Sequence, residues 1–236
     1  MIEVQQITKH FGKFKALDNL NLTLNQGESI ALIGPNGCGK TTLIKSILGM
    51  VLPEKGNIIF DGKNIQKDIS YRNHIGYMPQ IGRYPENMTI GQVIDMVKGI
   101  RNCTQPLDYT LYHEFEIEKL LNKTMRTLSG GTTQKVSATL AFMFPVKLLI
   151  LDEPTAGLDP IASEILKQKI IDARNNGVLV LITSHLLSEL ENIISQIIFM
   201  QEGKVILHKD TELLKESTGQ HSIAQSIIHL LKSGSL

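Results

Sequence analysis

Residues 34–42 read Gly34-Pro35-Asn36-Gly37-Cys38-Gly39-Lys40-Thr41-Thr42. An apolar run, residues 30–33, comes before them, and apolar residues at helical spacing follow at Leu43, Ile44, Ile47 and Leu48. This order is typical of a phosphate-binding loop, because glycines let backbone N–H groups turn toward an anion at a helix start. We predict that Lys40 reaches the β- and γ-phosphates of a nucleotide and that the Thr41 hydroxyl binds Mg²⁺. A glycine-rich turn without a ligand is the alternative, and the flanking strand and helix argue against it.

The composition limits the partners that we expect. The chain of 236 residues is 42% hydrophobic and 20% charged, with a net charge of +1. It lacks the strong excess of positive charge typical of nucleic-acid-binding proteins, so no nucleic-acid partner is expected. Cys38 and Cys103 have no metal-ligand spacing, which favours a reducing cytosol. The chain begins in strand-like alternation without a signal segment, and no apolar run reaches the roughly 18 residues that span a bilayer. If the protein serves a membrane process, we expect other chains to cross the membrane.

The hydrophobic pattern predicts an α/β fold with a helical insertion. Residues 2–33 have the alternation of strands and turns, and residues 81–145 have mainly helical spacing. Buried strands are predicted at Ile75 to Met78, Leu148 to Leu151 and Val178 to Ile182, and hairpins around Asp61-Gly62 and Glu202-Gly203. Two helices are expected to begin after the caps Thr89 and Ser129, and two more to run from Leu111 to Leu121 and from Ala162 to Ala173. The helix that follows the phosphate loop is expected to end near Pro53 and Gly56.

Polar residues that follow predicted strands are candidates for chemistry on a phosphate. Asp152 ends an apolar run, as a Mg²⁺ ligand of a nucleotide site does, and the adjacent Glu153 could deprotonate an attacking water. The alternative for Glu153 is an acid that binds backbone amides at a helix start. His185 could contact a γ-phosphate and Gln80 could reach Mg²⁺ or the water, although an isolated His or Gln more often has a structural role. Phe11, in a segment predicted to be irregular, could stack on a base or belong to the core.

The motifs together resemble a known family. Over residues 2–210 the chain is similar to the nucleotide-binding subunits of ABC transporters in the order and spacing of Gly34 to Thr42, Gln80, Leu128-Ser129-Gly130-Gly131, Leu148 to Glu153, Ala156-Gly157-Leu158-Asp159 and His185. The resemblance implies a RecA-like P-loop core with an N-terminal antiparallel β subdomain and an inserted helical subdomain. It assigns residues 1–80 and 146–210 to the ATP-binding core, 81–145 to the helical subdomain and 211–236 to a short tail.

The resemblance also implies roles for single residues. ATP would be bound by Phe11 and residues 34–42, Mg²⁺ by Thr41, Gln80 and Asp152, and catalysis would involve Glu153, His185 and Gln80. In a head-to-tail dimer, the signature residues Leu128, Ser129, Gly130, Gly131 and Thr132 would face the ATP of the partner subunit, and Asp159 would lie in the adjoining loop. Both halves of the site occur in this chain, so we expect a homodimer. Thr132 stands where the family usually has Gln, and Phe11 where Tyr is common.

The expected function is ATP hydrolysis that drives a permease made of separate membrane chains, with the protein on the cytoplasmic face of the inner membrane. Thr132-Thr133-Gln134-Lys135 and the short amphipathic tail also resemble the ATPase of the copper-processing transporter of nitrous-oxide reductase maturation; export of another cargo is the alternative. A soluble relative acting on ribosomes or DNA is disfavoured, because such proteins usually carry two ATPase domains, long coiled-coil insertions or basic extensions. A sensor that binds ATP without hydrolysing it is disfavoured by Glu153 and His185.

Overall fold

The computed structural model describes residues 1–184 and 186–233. Within them lie ten strands: β1 Ile2–Phe11, β2 Phe14–Leu24, β3 Ser29–Ile33, β4 Lys55–Phe60, β5 Lys63–Asn64, β6 Ile75–Met78, β7 Leu148–Asp152, β8 Leu179–Thr183, β9 Gln196–Gln201 and β10 Lys204–Asp210. The same residues form seven α-helices: α1 Lys40–Ile47, α2 Ile90–Arg101, α3 Thr110–Glu114, α4 Gly130–Phe142, α5 Pro160–Asn175, α6 Thr211–Thr218 and α7 Ile223–Ser233. The predicted α/β class is confirmed.

The first compact unit comprises Met1–Arg72 and Leu181–Leu236. Its antiparallel sheet has the strand order β2-β1-β4-β5, and the alternating Leu20, Leu22 and Leu24 of β2 are buried on one face. In the same unit β3 pairs parallel with β9, and β9 pairs antiparallel with β10. All five residues of β3 are buried, so the strand that leads into residues 34–42 is fixed by core packing.

Both hairpins that the sequence predicts are confirmed. Asp61 and Gly62, between β4 and β5, have φ of 48° and 77°, and Glu202 and Gly203, between β9 and β10, have φ of 49° and 77°. Two successive residues with positive φ give the turn whose twist matches that of antiparallel strands. The prediction for Phe11 is wrong: Phe11 lies at the end of β1, not in an irregular segment, and the turn follows at Gly12 and Lys13.

Helix α1 ends earlier than the sequence predicts. Its C-cap is Leu48, and Gly49 follows with a φ of 68°, before Pro53 or Gly56 is reached. A Cβ on Gly49 would lie 2.6 Å from the Tyr71 hydroxyl, which donates a hydrogen bond to the carbonyl of Ile47. The helix therefore stops where a tertiary contact and a left-handed glycine coincide, and these outweigh the signal of the later proline.

The second compact unit comprises Asn73–Val180. In it β6 and β7 pair in parallel, with Ile75 opposite Leu148, and α4 packs closely on β6, since a Cβ on Gly76 would lie 2.2 Å from the Ala141 carbonyl oxygen. Helices α2, α3 and α4 lie between β6 and β7 along the chain, as the predicted insertion requires. The boundary between the units falls inside β8, and the subdomain division that we predict from the sequence stays a prediction.

The continuous helix predicted from Leu111 to Leu121 is wrong. The chain forms the short α3 and then a 3₁₀ turn, Ile117–Leu120, and Glu116 between them has a φ of 52°. Leu111, Phe115 and Ile117 are nevertheless buried. The apolar spacing thus predicted correctly which residues are buried. It could not predict the break between the two pieces, because a glutamate side chain does not indicate a left-handed backbone conformation.

Thr89 begins α2 through a complete capping box. The Thr89 hydroxyl accepts a hydrogen bond from the Gln92 amide at 3.3 Å, and the Gln92 side chain accepts one from the Thr89 amide at 2.9 Å. We expect Thr89→Ala to lower the free energy of unfolding by about 1 kcal/mol, because the Gln92 amide loses the hydroxyl that accepts its hydrogen bond. Urea denaturation measures this, with the exposed Thr104→Ala as control. Equal losses in both variants would mean that the box contributes nothing.

The tail forms α6 and α7, in which Ile223 and Ile227 are buried and Leu231 is half-exposed. The Glu191 carboxylate accepts a hydrogen bond from the Ile223 amide at 2.8 Å, where α7 begins. A negative charge at this end stabilises a helix. Within residues 1–184 and 186–233, no helix has the length and hydrophobicity to cross a bilayer.

Candidate functional site

The phosphate loop, residues 34–42, connects β3 to α1 in the first unit. Gly34 has a φ of 146° and Gly39 a φ of 110°, values that favour glycine. A Cβ on Gly34 would lie 2.1 Å from the Met200 carbonyl oxygen, and a Cβ on Gly39 would lie 2.4 Å from that of Ala16. Both glycines are therefore required by close backbone contacts as well as by their φ angles.

The Lys40 side chain folds back into this loop. Its Nζ donates hydrogen bonds to the carbonyl oxygens of Gly34 at 2.7 Å and Pro35 at 3.2 Å. The Cys38 amide donates to the same Pro35 carbonyl at 3.2 Å, which keeps the loop curved. The amides of Lys40, Thr41 and Thr42 open α1, and amides in a first helical turn have no acceptor in their own helix. An ammonium group and a helix N-terminus thus meet in one loop, a combination that fits the phosphates of ATP.

Asp152 is the last residue of β7, and Glu153 after it has a left-handed φ of 54°. This conformation costs a non-glycine residue roughly 1–2 kcal/mol, and such strain is concentrated at functional sites. Glu153 does not begin a helix, because a turn held by the hydrogen bond from the Ala156 amide to the Glu153 carbonyl follows it. The helix-start alternative for Glu153 is therefore wrong.

The negative charge of Asp152 affects the Tyr77 phenol on the neighbouring strand β6. Tyr77 lies on β6, where burial raises the pKa of its phenol and the negative Asp152 raises it further. Among the described residues no three His, Cys, Asp or Glu side chains form a metal site. Mg²⁺ in nucleotide sites is usually held by a few protein oxygens together with substrate phosphates, and the Mg²⁺-binding roles of Asp152 and Thr41 stay predictions.

Ser129 is the N-cap of α4, as predicted. Its hydroxyl accepts a hydrogen bond from the Thr132 amide at 3.3 Å and lies 2.9 Å from the Thr132 hydroxyl. A Cβ on Gly130 would meet no described atom within 4 Å, whereas one on Gly131 would lie 2.6 Å from the Gly157 carbonyl oxygen. The first turn of α4 is thus open at Gly130. Thr132 is bonded to the residue predicted to face a phosphate, a contact that the sequence analysis missed.

Asp159 is the N-cap of α5 and is tied to α4. Its carboxylate accepts hydrogen bonds from the Ala162 amide at 2.9 Å and from the Lys135 Nζ at 2.7 Å. The hydrogen bond from Lys135 holds the pKa of Asp159 below its ordinary value, so the ion pair persists at neutral pH.

Three further candidates are less closely connected. Phe11 is 51% exposed, and the Lys9 Nζ lies 5.5 Å from the centre of its ring. An exposed ring at a strand end can stack on a base, which stays a prediction. Gln80 follows β6 with an exposed side chain, and its carbonyl accepts a hydrogen bond from the Gln134 Nε2 at 3.0 Å. His185 lies outside the described residues, and its role stays a prediction.

Comparison with known proteins identifies the family. A sequence profile described as ABC transporter matches residues 17–156. The chain belongs to the ABC transporter family. It is 34% identical over 228 residues to YhaQ of Bacillus subtilis, an uncharacterized ABC transporter ATP-binding protein, covering 94% of this chain and 76% of that one. The lantibiotic transport ATP-binding protein SrtF of Streptococcus pyogenes is 32% identical over 211 residues, covering 89% and 91%.

Solved structures agree with this assignment. An ATP-binding subunit of an ABC transporter superposes with a TM-score of 0.90 at 26% identity, covering 98% of this chain and 99% of that one. A dimeric ATP-binding cassette bound to ADP and Pi has a TM-score of 0.79 at 22% identity, covering 89% and 98%, and shares the fold. The predicted RecA-like cassette fold is confirmed, and the protein is the ATP-binding, ATP-hydrolysing subunit of an ABC transporter.

Two contacts of this ABC subunit were absent from the sequence analysis. Gln134 of α4 reaches Gln80, and Ser137 of α4 reaches Tyr84. Gln134, Ser137 and Ala141 occupy helical positions i, i+3 and i+7 on one buried face. Gln134 is a large polar residue on the buried face of α4, and such a residue indicates a buried polar contact because an unpaired polar group there is costly.

Proposed function

We propose that the chain forms a head-to-tail homodimer that hydrolyses two ATP molecules and thereby drives a separate membrane permease. The observation that carries the proposal is the pairing of two anion-binding helix starts in one chain. Lys40 is the first residue of α1, with its side chain folded back into the phosphate loop, and Ser129 caps α4 beside two glycines. The two starts carry different motifs, and such complementary surfaces suit a symmetric pair in which each copy supplies both.

Within each subunit, the residues divide into binding and chemical roles. Lys40 and the amides of residues 36–42 hold the β- and γ-phosphates, and Phe11 stacks on the base. Thr41, Asp152 and Gln80 are the residues that would hold Mg²⁺, which would supply positive charge to the phosphate oxygens. Glu153 accepts the proton of the attacking water, and His185 contacts the γ-phosphate.

The partner subunit completes each site. Ser129, Gly130 and Gly131 present a hydroxyl and helix-start amides to the γ-phosphate held by the other copy, while Leu128 and Thr132 flank them and Asp159 adjoins them. Support for this comes from the open first turn of α4 at Gly130. Hydrolysis removes the γ-phosphate, so the contact between the copies weakens and the dimer can open.

The relatives favour transport over a role on ribosomes or DNA. SrtF is named for lantibiotic transport and YhaQ as an ABC transporter ATP-binding protein. The chain carries a net charge of only +1, whereas proteins that bind RNA or DNA commonly have a strong excess of positive charge. We place the protein on the cytoplasmic face of the membrane, and we assign residues 81–145 to the helical subdomain between two parts of the core, residues 1–80 and 146–210.

A finer proposal concerns the cargo. The variant signature helix, with Thr132 and Lys135, and the amphipathic tail favour a copper-processing transporter, whereas the similarity to SrtF, which is named for lantibiotic transport, favours a lantibiotic-like cargo. Metal analysis and mass spectrometry of the permease complex, purified with its periplasmic or extracellular partners, distinguish the two cargo classes.

Purification from native membranes tests the proposed partner. The tagged protein, solubilised with a mild detergent and trapped with ATP, is expected to bring down an integral membrane chain in equimolar amount. A Lys40→Ala variant is the control for nucleotide-dependent trapping. Recovery of ribosomal subunits, without any membrane chain, would reverse the assignment in favour of the soluble role.

A further inference from the structure

Helix α4 holds the loop of residues 80–84, here called the Gln80 loop, at both ends. The Gln134 Nε2 donates to the Gln80 carbonyl at 3.0 Å, and Gln134 is only 6% exposed. One turn further along α4, the Ser137 hydroxyl lies 3.0 Å from the Tyr84 hydroxyl. Burial raises the pKa of that Tyr84 phenol, so it stays a neutral hydrogen-bonding partner at physiological pH. The loop cannot shift relative to α4 without breaking these contacts.

The middle of the Gln80 loop packs directly on the same helix. A Cβ on Gly82 would lie 2.4 Å from the Ser137 hydroxyl oxygen and 3.3 Å from a Thr133 methyl carbon. The loop therefore contacts α4 at Gln80, Gly82 and Tyr84. Close packing of this kind transmits displacement, because protein interiors are nearly incompressible.

The first turns of α4 also contact the loop that ends in Asp159. Gly131 approaches the Gly157 carbonyl so closely that a Cβ would lie 2.6 Å from it, and Lys135 forms its ion pair with Asp159. The segment of α4 from Gly131 to Ser137 thus contacts both loops that carry predicted site residues. A rotation of α4 moves the two loops together.

The Gln134 amide has only one workable orientation. Its NH₂ group must face the Gln80 carbonyl, since the opposite orientation would place two oxygens against each other. Gln134 Oε1 is then buried, and it has no hydrogen-bond partner among the described residues. A buried acceptor without a partner is destabilising, and a methionine would fill the same space without that cost. Packing alone does not account for the glutamine, and its contact with Gln80 does.

We propose that Gln134 is a positioning residue that couples the two ATP sites of the dimer. The inference rests on the proposed function, in which Ser129 to Gly131 face the ATP of the partner while Gln80 serves the subunit's own ATP. One helix then contacts one ATP at its first turn and holds Gln80 at the next. Binding of ATP to the partner fixes the position of α4, and α4 in turn positions Gln80 through Gln134, with the Ser137–Tyr84 hydrogen bond as the second connection.

The variant Gln134→Met tests this coupling, and Gln168→Met is its matched control, an exposed glutamine on α5 whose side chain bonds Asp172. Phosphate release is measured against ATP concentration with the full-length chain, together with its permease where that is needed for turnover. The wild type and the control are expected to give a Hill coefficient of about 2, the limit for two sites. Gln134→Met is expected to give about 1, with kcat lowered about fivefold or more and single-site ATP affinity unchanged.

A second variant guards against misfolding. Tyr84→Phe keeps the ring and removes the hydroxyl that meets Ser137, and we expect a smaller fall in the Hill coefficient with an unchanged melting temperature. If the wild type is cooperative and both variants match it, Gln134 does not couple the sites, although the dimeric ATPase stands. A wild-type Hill coefficient of 1, with no ATP-dependent dimer, contradicts both the coupling and the proposed function.

Discussion

Glu153→Gln is expected to lower ATP hydrolysis about a thousandfold, the range for removal of a general base, while ATP remains bound. The amide keeps the size of the side chain and loses the ability to accept a proton from water. The γ-phosphate then stays in place between Lys40 of one subunit and Ser129 of the other. We therefore expect an ATP-bound dimer to accumulate, where the wild type would return to monomers.

Two measurements check this prediction, namely phosphate release under saturating ATP and the mass of the protein by light scattering with and without ATP. The control Glu216→Gln makes the same chemical change at an exposed position on α6. Wild-type turnover in Glu153→Gln would falsify the assignment of Glu153 as the base. A monomer in the presence of ATP, together with lost turnover, would instead contradict the proposed dimer.

Lys40→Ala is expected to weaken ATP binding by about 10- to 150-fold, from the roughly 1.5–3 kcal/mol of a hydrogen bond to a charged group. The ammonium group is already turned into the loop by its bonds to the Gly34 and Pro35 carbonyls. ATP can therefore use it without a large rearrangement, and the loss is mainly one of charge and hydrogen bonding.

Calorimetric titration with ATP measures the affinity, and Lys45→Ala is the matched control, because Lys45 is exposed near the end of the same helix. The melting temperatures of both variants show whether the loop still folds without the Lys40 bonds. If Lys40→Ala binds ATP as tightly as Lys45→Ala does, residues 34–42 are not the phosphate site.

The sequence predicted the buried strands and the starts of helices better than the contacts between elements. Ile30 to Ile33 and Leu148 to Leu151 are short apolar runs, and the strands that they form follow from local pattern. The positions of Lys40, after the loop that follows the first run, and of Asp152, directly after the second run, follow from the same pattern. Ser129 and Thr89 could be named as caps because side-chain capping is local as well.

Other features depend on parts of the chain that are distant in sequence. The bond between Gln134 and Gln80 joins residues 54 positions apart, and no pattern within one helix predicts its partner. The left-handed φ of Glu153 and Glu116 has no signal in the side chain, since glutamate adopts it only where surrounding structure imposes it. Glu153 is the proposed base, so the sequence predicted its identity but not the strained backbone conformation in which it is held.

The close contacts of Gly34 and Gly39 affect what can be concluded when these two glycines are invariant among sequences of the family. The atoms that a side chain would strike are backbone oxygens of Met200 and Ala16, which no change of rotamer can move. A mutational scan should therefore reject alanine at both positions even when selection is only for a folded chain. Gly37, where a Cβ would have open space, should accept asparagine, which tolerates its φ of 78°. Invariance of Gly34 and Gly39 would then reflect a requirement of the fold, and a cassette that no longer bound a nucleotide would still retain them.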